Sequence, residues 1–255
     1  MSGWVTTLGP DGTALALLLL GHVLGDFVFQ TDEMAKNKYR VRPLVFHVGI
    51  VLVVHLSAFV LLLTPQTALI VMLVGVSHLL IDAVSARLRH QKVTAAHHLF
   101  LGDQMTHLLI ILVGWSLMNA SSWTVTPVVT ALGGVDQLPW SGITAGALYL
   151  SAFVFAHKGG NVIVRGVLPD EGPESEEEEG DDLAVGYLIG TLERWIILLL
   201  GLAGMWQAVA LVVAVKSIAR FEELKKRAFA EYFLVGTLTS VLVAIVLVVL
   251  VSVLV

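Results

Sequence analysis

The chain carries apolar runs that are too long for the core of a water-soluble domain. A membrane-crossing helix needs about 20 mostly apolar residues. Eight stretches approach or reach that length: 13–31, 43–64, 66–85, 97–118, 141–158, 183–201, 204–220 and 231–254. The seventh is short and the pairs in the second half are tightly spaced. The sequence therefore predicts an all-α polytopic transmembrane bundle of about eight helices, with seven or eight crossings. Composition agrees: 56% of the 255 residues are hydrophobic and 14% are charged, against about 25% charged in an ordinary soluble domain. The chain has no cysteine, which excludes a disulfide scaffold, a Cys-ligated zinc finger, an iron–sulfur centre and thiol catalysis. No basic patch with interleaved aromatics occurs, so nucleic acid is excluded as a partner and membrane lipid is expected. No Lys or Arg precedes the first apolar run, which therefore does not read as a secretory signal.

The formal charge of −5 describes one stretch, because nine of the 20 acids lie in residues 170–182. Such a run reads as a solvated loop. Basic residues set the orientation. Lys36, Lys38, Arg40 and Arg42 follow the first run, and Arg87, Arg89 and Lys92 follow the third. Lys158 and Arg165 close and follow the fifth, and Lys216, Arg220, Lys225, Lys226 and Arg227 lie at the end of the seventh and before the eighth. With eight crossings all of these fall on one side, whereas 64–66, 119–140 and 201–204 contain neither Lys nor Arg. The pattern predicts a bacterial inner-membrane protein with cytoplasmic basic loops and both termini outside. Three regions follow: a polar four-helix bundle at 13–118, an external loop at 119–140, and a C-terminal helical half at 141–255 with the acidic cytoplasmic loop 170–182.

Ionisable residues inside spans are costly, which makes them functional candidates. Here they gather in the first four helices: His22, Asp26 and Gln30, then His47 and His55, then His78 and Asp82, then Asp103, Gln104 and His107. Residues four apart share a helical face, so His22/Asp26, His78/Asp82 and Asp103/His107 are three paired sites. Their order inverts on the fourth helix, which runs the opposite way. All three aspartates are then expected within about 10 Å of the cytoplasmic helix ends, at 1.5 Å per residue. The paired histidines come one turn deeper, and His47 enters at the aspartate level. Four His and three Asp exceed one tetrahedral site and suit two divalent transition ions, Zn, Mn or Fe, with a bridging carboxylate. The ligand set is His22, Asp26, His47, His78, Asp82, Asp103 and His107. Gln30, Gln104, His97, Lys216 and Arg220 are expected to support it or to contact substrate. His55 reads as a packed histidine. Glu193 and Arg194 are adjacent and share no helical face, so each needs a partner on another helix.

The stretches GHVLGDFVFQTDEMAKNK, SHLLIDAVSARL and FLGDQMTHLL resemble bacterial membrane proteins of the family called domain of unknown function 3307, over roughly residues 15–115. The resemblance groups His22, Asp26, Gln30, His78, Asp82, Asp103, Gln104 and His107, and it implies no reaction.

These features lead to an expected metal-dependent intramembrane hydrolase acting from the cytoplasmic leaflet on an amphiphilic lipid or lipid-phosphate substrate. The cation would activate a water, and Asp26, Asp82 or Asp103 would bridge or act as base. No G-x-x-x-x-G-K, G-x-S-x-G or H-E-x-x-H motif occurs, which disfavours a nucleotide-driven enzyme, a serine hydrolase and an H-E-x-x-H protease. A proton or divalent-metal transporter stays open, although the outer halves of the first four helices are apolar apart from His55. So does a structural membrane protein with a hydrogen-bonded His–Asp core.

Overall fold

The computed structural model describes residues 9–118, 126–134, 138–169 and 181–255. Among these, ten α-helices and no strand occur. In chain order they are α1 (Pro10–Phe27), α2 (Asp32–Asn37), α3 (Val41–Ala58), α4 (Pro65–His90), α5 (Ala96–Ser116), α6 (Pro127–Ala131), α7 (Trp140–Val167), α8 (Asp181–Leu202), α9 (Trp206–Ala219) and α10 (Arg227–Leu254). Each of the eight expected apolar runs coincides with one helix, and α2 and α6 are short additions. Five of them, α3, α4, α5, α7 and α10, are long and apolar enough to cross a membrane. The expected acidic loop lies outside the described residues, except that Asp181 and Asp182 open α8. The expected external loop is described only at 126–134 and 138–140, and it holds α6.

Several helix ends differ from expectation. The first run was expected to continue to 31, but α1 stops at Phe27. The Thr31 side chain accepts the Met34 N–H and Asp32 and Glu33 fill the next first turn, which starts α2; an N-cap with acids behind it outcompetes continuation. Gln30 therefore lies in a connector and not on the face of His22 and Asp26. At the other extreme, α4 runs to His90 and α7 to Val167. Arg87, Arg89, Lys158 and Arg165, expected between helices, are helical. Cations suit the C-terminal end of a helix dipole and keep their charges in water on long stems, so a basic residue need not end a helix.

The chain divides into two compact units, residues 1–154 with 253–255, and residues 155–252. In the first unit α1 packs on α3 and α5, and α4 packs on the same two helices, giving a closed four-helix bundle. Thr64 opens α4 with a reciprocal cap: it accepts the Thr67 N–H at 3.2 Å while its own N–H donates to Thr67 Oγ1 at 2.7 Å. On α4, Leu69, Leu73, Val76 and Leu80 are exposed, whereas Val71, Val74, His78 and Asp82 are buried. That is a helix with its polar stripe inside and its apolar stripe outside, as a lipid-facing bundle requires. In the second unit, Ile197, Val209 and Ala244 form the core between α8, α9 and α10. Gly204, at φ 72, makes the tight α8–α9 turn.

Candidate metal centre

The first bundle is stacked in turns. Its apolar layer holds Leu18, Val51, Val74 and Ile111, all buried. One turn along each helix come His22, His47, His78 and His107, and a further turn brings Asp26, Asp82 and Asp103. Close helix approach sets this register. A Cβ on Gly21 would stand 2.6 Å from His55 Cδ2, and one on Gly25 would stand 2.8 Å from Val51 Cγ2. Only glycine at these two positions lets α1 lie against α3.

All seven expected ligands are buried and come together in this bundle. His47 Nε2 lies 3.1 Å from Asp26 Oδ1, 3.1 Å from His78 Nε2 and 3.3 Å from Asp82 Oδ2. His78 Nε2 lies 3.3 Å from the same two carboxylate oxygens. His47 Nε2, His78 Nε2 and Asp82 Oδ2 thus form one close triad of ligand atoms, with Asp26 Oδ1 beside both imidazoles. Ligands about 2.0–2.1 Å from a tetrahedral ion stand about 3.3–3.4 Å from one another, close to the 3.1 Å, 3.3 Å and 3.3 Å edges of this triad. The triad has the donor chemistry and the spacing that a divalent cation requires.

A second convergence adjoins it. Asp26, Asp103 and His107 bring ligand atoms within 4.8 Å of one another, as do His22, Asp26 and His78. His107 Nδ1 donates to the Asp103 carbonyl at 2.9 Å, which leaves Nε2 as the lone-pair nitrogen. That Nε2 and Asp103 Oδ1 are both buried without a hydrogen-bond partner. Asp26 stands between the two convergences: Oδ1 faces His47 and His78, and Oδ2 lies 3.8 Å from His22 Nδ1. Because α4 continues to His90, Asp82 lies eight residues from its end, about 12 Å rather than 10 Å.

Sequence reasoning missed Lys38. It lies in the short connector between α2 and α3, is 7% exposed, and donates its ammonium to Asp82 Oδ2 at 2.8 Å. Gln104 accepts from or donates to its neighbours on both sides: its Oε1 lies 3.3 Å from His22 Nε2, and its Nε2 donates to Asp103 Oδ2 at 3.1 Å. A cavity of about 50 Å³ opens over the cluster and is lined by Asp26, Asp82 and Asp103 together with Gln30, Lys38 and Arg89. The other expected supporting residues lie elsewhere. The His97 ring lies against that of His98 at the start of α5, tilted by 49°. His55 packs with Nδ1 donating to the Val51 carbonyl at 2.8 Å. Lys216 pairs with Glu193 at 2.6 Å and Arg220 with Glu223 at 3.4 Å, both in the second unit. There Arg194, 1% exposed, donates to the Ala156 carbonyl at 2.6 Å and to Ser240 Oγ at 3.2 Å. Glu193 and Arg194 thus each find the partner on another helix that their adjacency requires.

Residues 14–132 match the family described as "Protein of unknown function (DUF3307)". All seven convergent ligands lie inside that match. No curated protein and no solved structure matches the chain.

Proposed function

Starting from a chain whose residues 14–132 belong to this family of unknown function, we propose that it is a two-ion, metal-dependent membrane hydrolase. The observation that carries the reading is the triad of His47 Nε2, His78 Nε2 and Asp82 Oδ2 at the spacing of metal ligands, with Asp26 Oδ1 3.1 Å and 3.3 Å from the two imidazoles. His47, His78 and Asp82 would hold one ion, and His22, Asp103 and His107 would hold the other. Asp26, with one oxygen toward each group, would be shared between them. Divalent ions of the Zn, Mn or Fe kind supply charge stabilisation there and acidify a water. Hydrolysis adds that water across an ester: its oxygen joins the electrophilic centre, a carboxylate takes one proton, and the alcohol leaves carrying a proton. Asp82 and Asp103, which border the cavity, are placed to move that proton. Gln104 fixes His22 and Asp103 in position.

The site lies toward the end of the bundle where Lys36, Lys38, Arg40, Arg87 and Arg89 cluster. Under the positive-inside rule this end faces the cytoplasm, so the substrate enters from the cytoplasmic leaflet of an inner membrane and both termini lie outside. The apolar layer of Leu18, Val51, Val74 and Ile111 closes the bundle beyond the histidines, which favours an enzyme over a transport path. A structural His–Asp core is the second reading, favoured by the Lys38 ammonium already bonded to Asp82.

The test is elemental analysis of detergent-purified protein prepared without chelator, with Asn variants beside the wild type. Wild type should carry about two equivalents of transition metal, since seven ligands exceed one tetrahedral set. Asp103→Asn should retain about one, and Asp26→Asn, lacking the bridge, should lose most of both. Metal-free wild type, with all variants equally stable, would sink the hydrolase reading and leave the structural one.

A further inference from the structure

We propose that the group this site takes is an anionic phosphate ester, held at the cavity mouth by Arg89 and Lys38. The inference rests on the two-ion reading above. Charge is the first argument. Two divalent ions outweigh the three carboxylates that line the cavity, and Lys38 and Arg89 line it too. The loaded site therefore carries a net positive charge inside a low-dielectric bundle, where uncompensated charge is costly. A neutral carboxylic ester leaves that charge unbalanced. A phosphate monoester dianion offsets the larger part of it.

Chemistry and size are the second and third arguments. Arg89 makes no ion pair among the described residues and is exposed at the end of α4. Its guanidinium offers the forked donors that match phosphate oxygens. A cavity of about 50 Å³ admits a few waters, at roughly 10–15 Å³ each, or one phosphoryl group. It does not admit an acyl chain. The rest of the substrate stays outside, beside Phe27 and Phe100, whose rings also line the cavity with centroids 6.2 Å apart. A lipid phosphate and a soluble phosphate monoester present the same head chemistry here.

The experiment uses the full chain in detergent micelles, with metal content measured on every sample. Inorganic phosphate is titrated calorimetrically into wild type, Arg89→Gln and Arg89→Lys. Phosphate release is then followed from phosphatidic acid in mixed micelles and from p-nitrophenyl phosphate, with p-nitrophenyl butyrate as the carboxylic ester. Wild type should bind phosphate, and Arg89→Gln should bind on the order of ten-fold more weakly with unchanged metal content. Arg89→Lys should recover part of the loss. Release from phosphatidic acid alone assigns a lipid source, and release from the soluble ester assigns a free one; either supports the phosphate class. Metal-loaded protein that binds no phosphate, binds it equally without Arg89, or cleaves only the butyrate overturns this inference and leaves the two-ion reading standing. Metal-free wild type overturns both.

Discussion

Lys38 carries a charge that the carboxylates need most when no ion is present. Its ammonium sits on Asp82 Oδ2, the same oxygen that faces His47 and His78. Removing one partner of a buried ion pair costs about 3–5 kcal/mol, because the other charge stays uncompensated. A bound cation would replace most of that compensation. Lys38→Met should therefore be moderately destabilised with metal and strongly destabilised after chelation, so that chelator lowers its melting midpoint further than it lowers the wild type's. An equal drop in both proteins would show that no cation shares Asp82 with Lys38. The difference between Lys38 and the seven ligands also shows what a sequence exposes at this scale. His22/Asp26, His78/Asp82 and Asp103/His107 are legible because a helix converts a spacing of four into a shared face. Lys38 sits in a connector, where spacing says nothing about direction, and a run of four basic residues reads as a topology anchor. Gln30 was misplaced for the converse reason: its spacing from Asp26 implies a shared face only if the helix continues, and Thr31 starts a new one.

At the scale of elements, the apolar runs locate every long helix, because only a helix satisfies the backbone of a single segment in lipid by its own hydrogen bonds. The helix ends are less legible, being decided by caps and by side chains that reach water. Glycines then decide how near two helices come. Gly25 faces Val51 so closely that a Cβ would stand 2.8 Å from its Cγ2, and the next residue is Asp26, 3.1 Å from His47 on the same partner helix. Gly25→Val should push α1 from α3, cost about 1–3 kcal/mol by overpacking, and reduce bound metal with it. Gly49, on α3, would place a Cβ in open space. Gly49→Ala should leave metal content unchanged and stability unchanged or slightly raised, since alanine is the better helix former. The measurements are thermal midpoint and metal content in one detergent. Gly25→Val with both quantities intact would show that the α1–α3 approach does not set the site.

Over the whole molecule, the hydrogen bonds of the first unit assign its two ends. Helix α3 rises from the basic connector and α4 returns to it. At their turn, the Leu61 carbonyl accepts Thr126 Oγ1 at 3.4 Å, which ties the segment after α5 to the end away from Arg87 and Arg89. At that same end, Trp115 Nε1 near the close of α5 donates to the Asp11 carbonyl at the start of α1, at 2.8 Å. Lys36 and Gln91 therefore mark one end of the bundle and Leu132 the other, and all three are exposed. The chain contains no cysteine, so a single introduced thiol is a unique reporter. Lys36→Cys, Gln91→Cys and Leu132→Cys, each made alone, can be labelled in intact cells with a membrane-impermeant maleimide and again after lysis. The Lys/Arg bias places Lys36 and Gln91 in the cytoplasm. Those two should react only after lysis, and Leu132→Cys should react in intact cells. If all three react alike, the bundle does not span the membrane between its ends. If the pattern is reversed, the bundle spans but the His–Asp cluster opens outward, and an enzyme drawing its substrate from the cytoplasmic leaflet is ruled out.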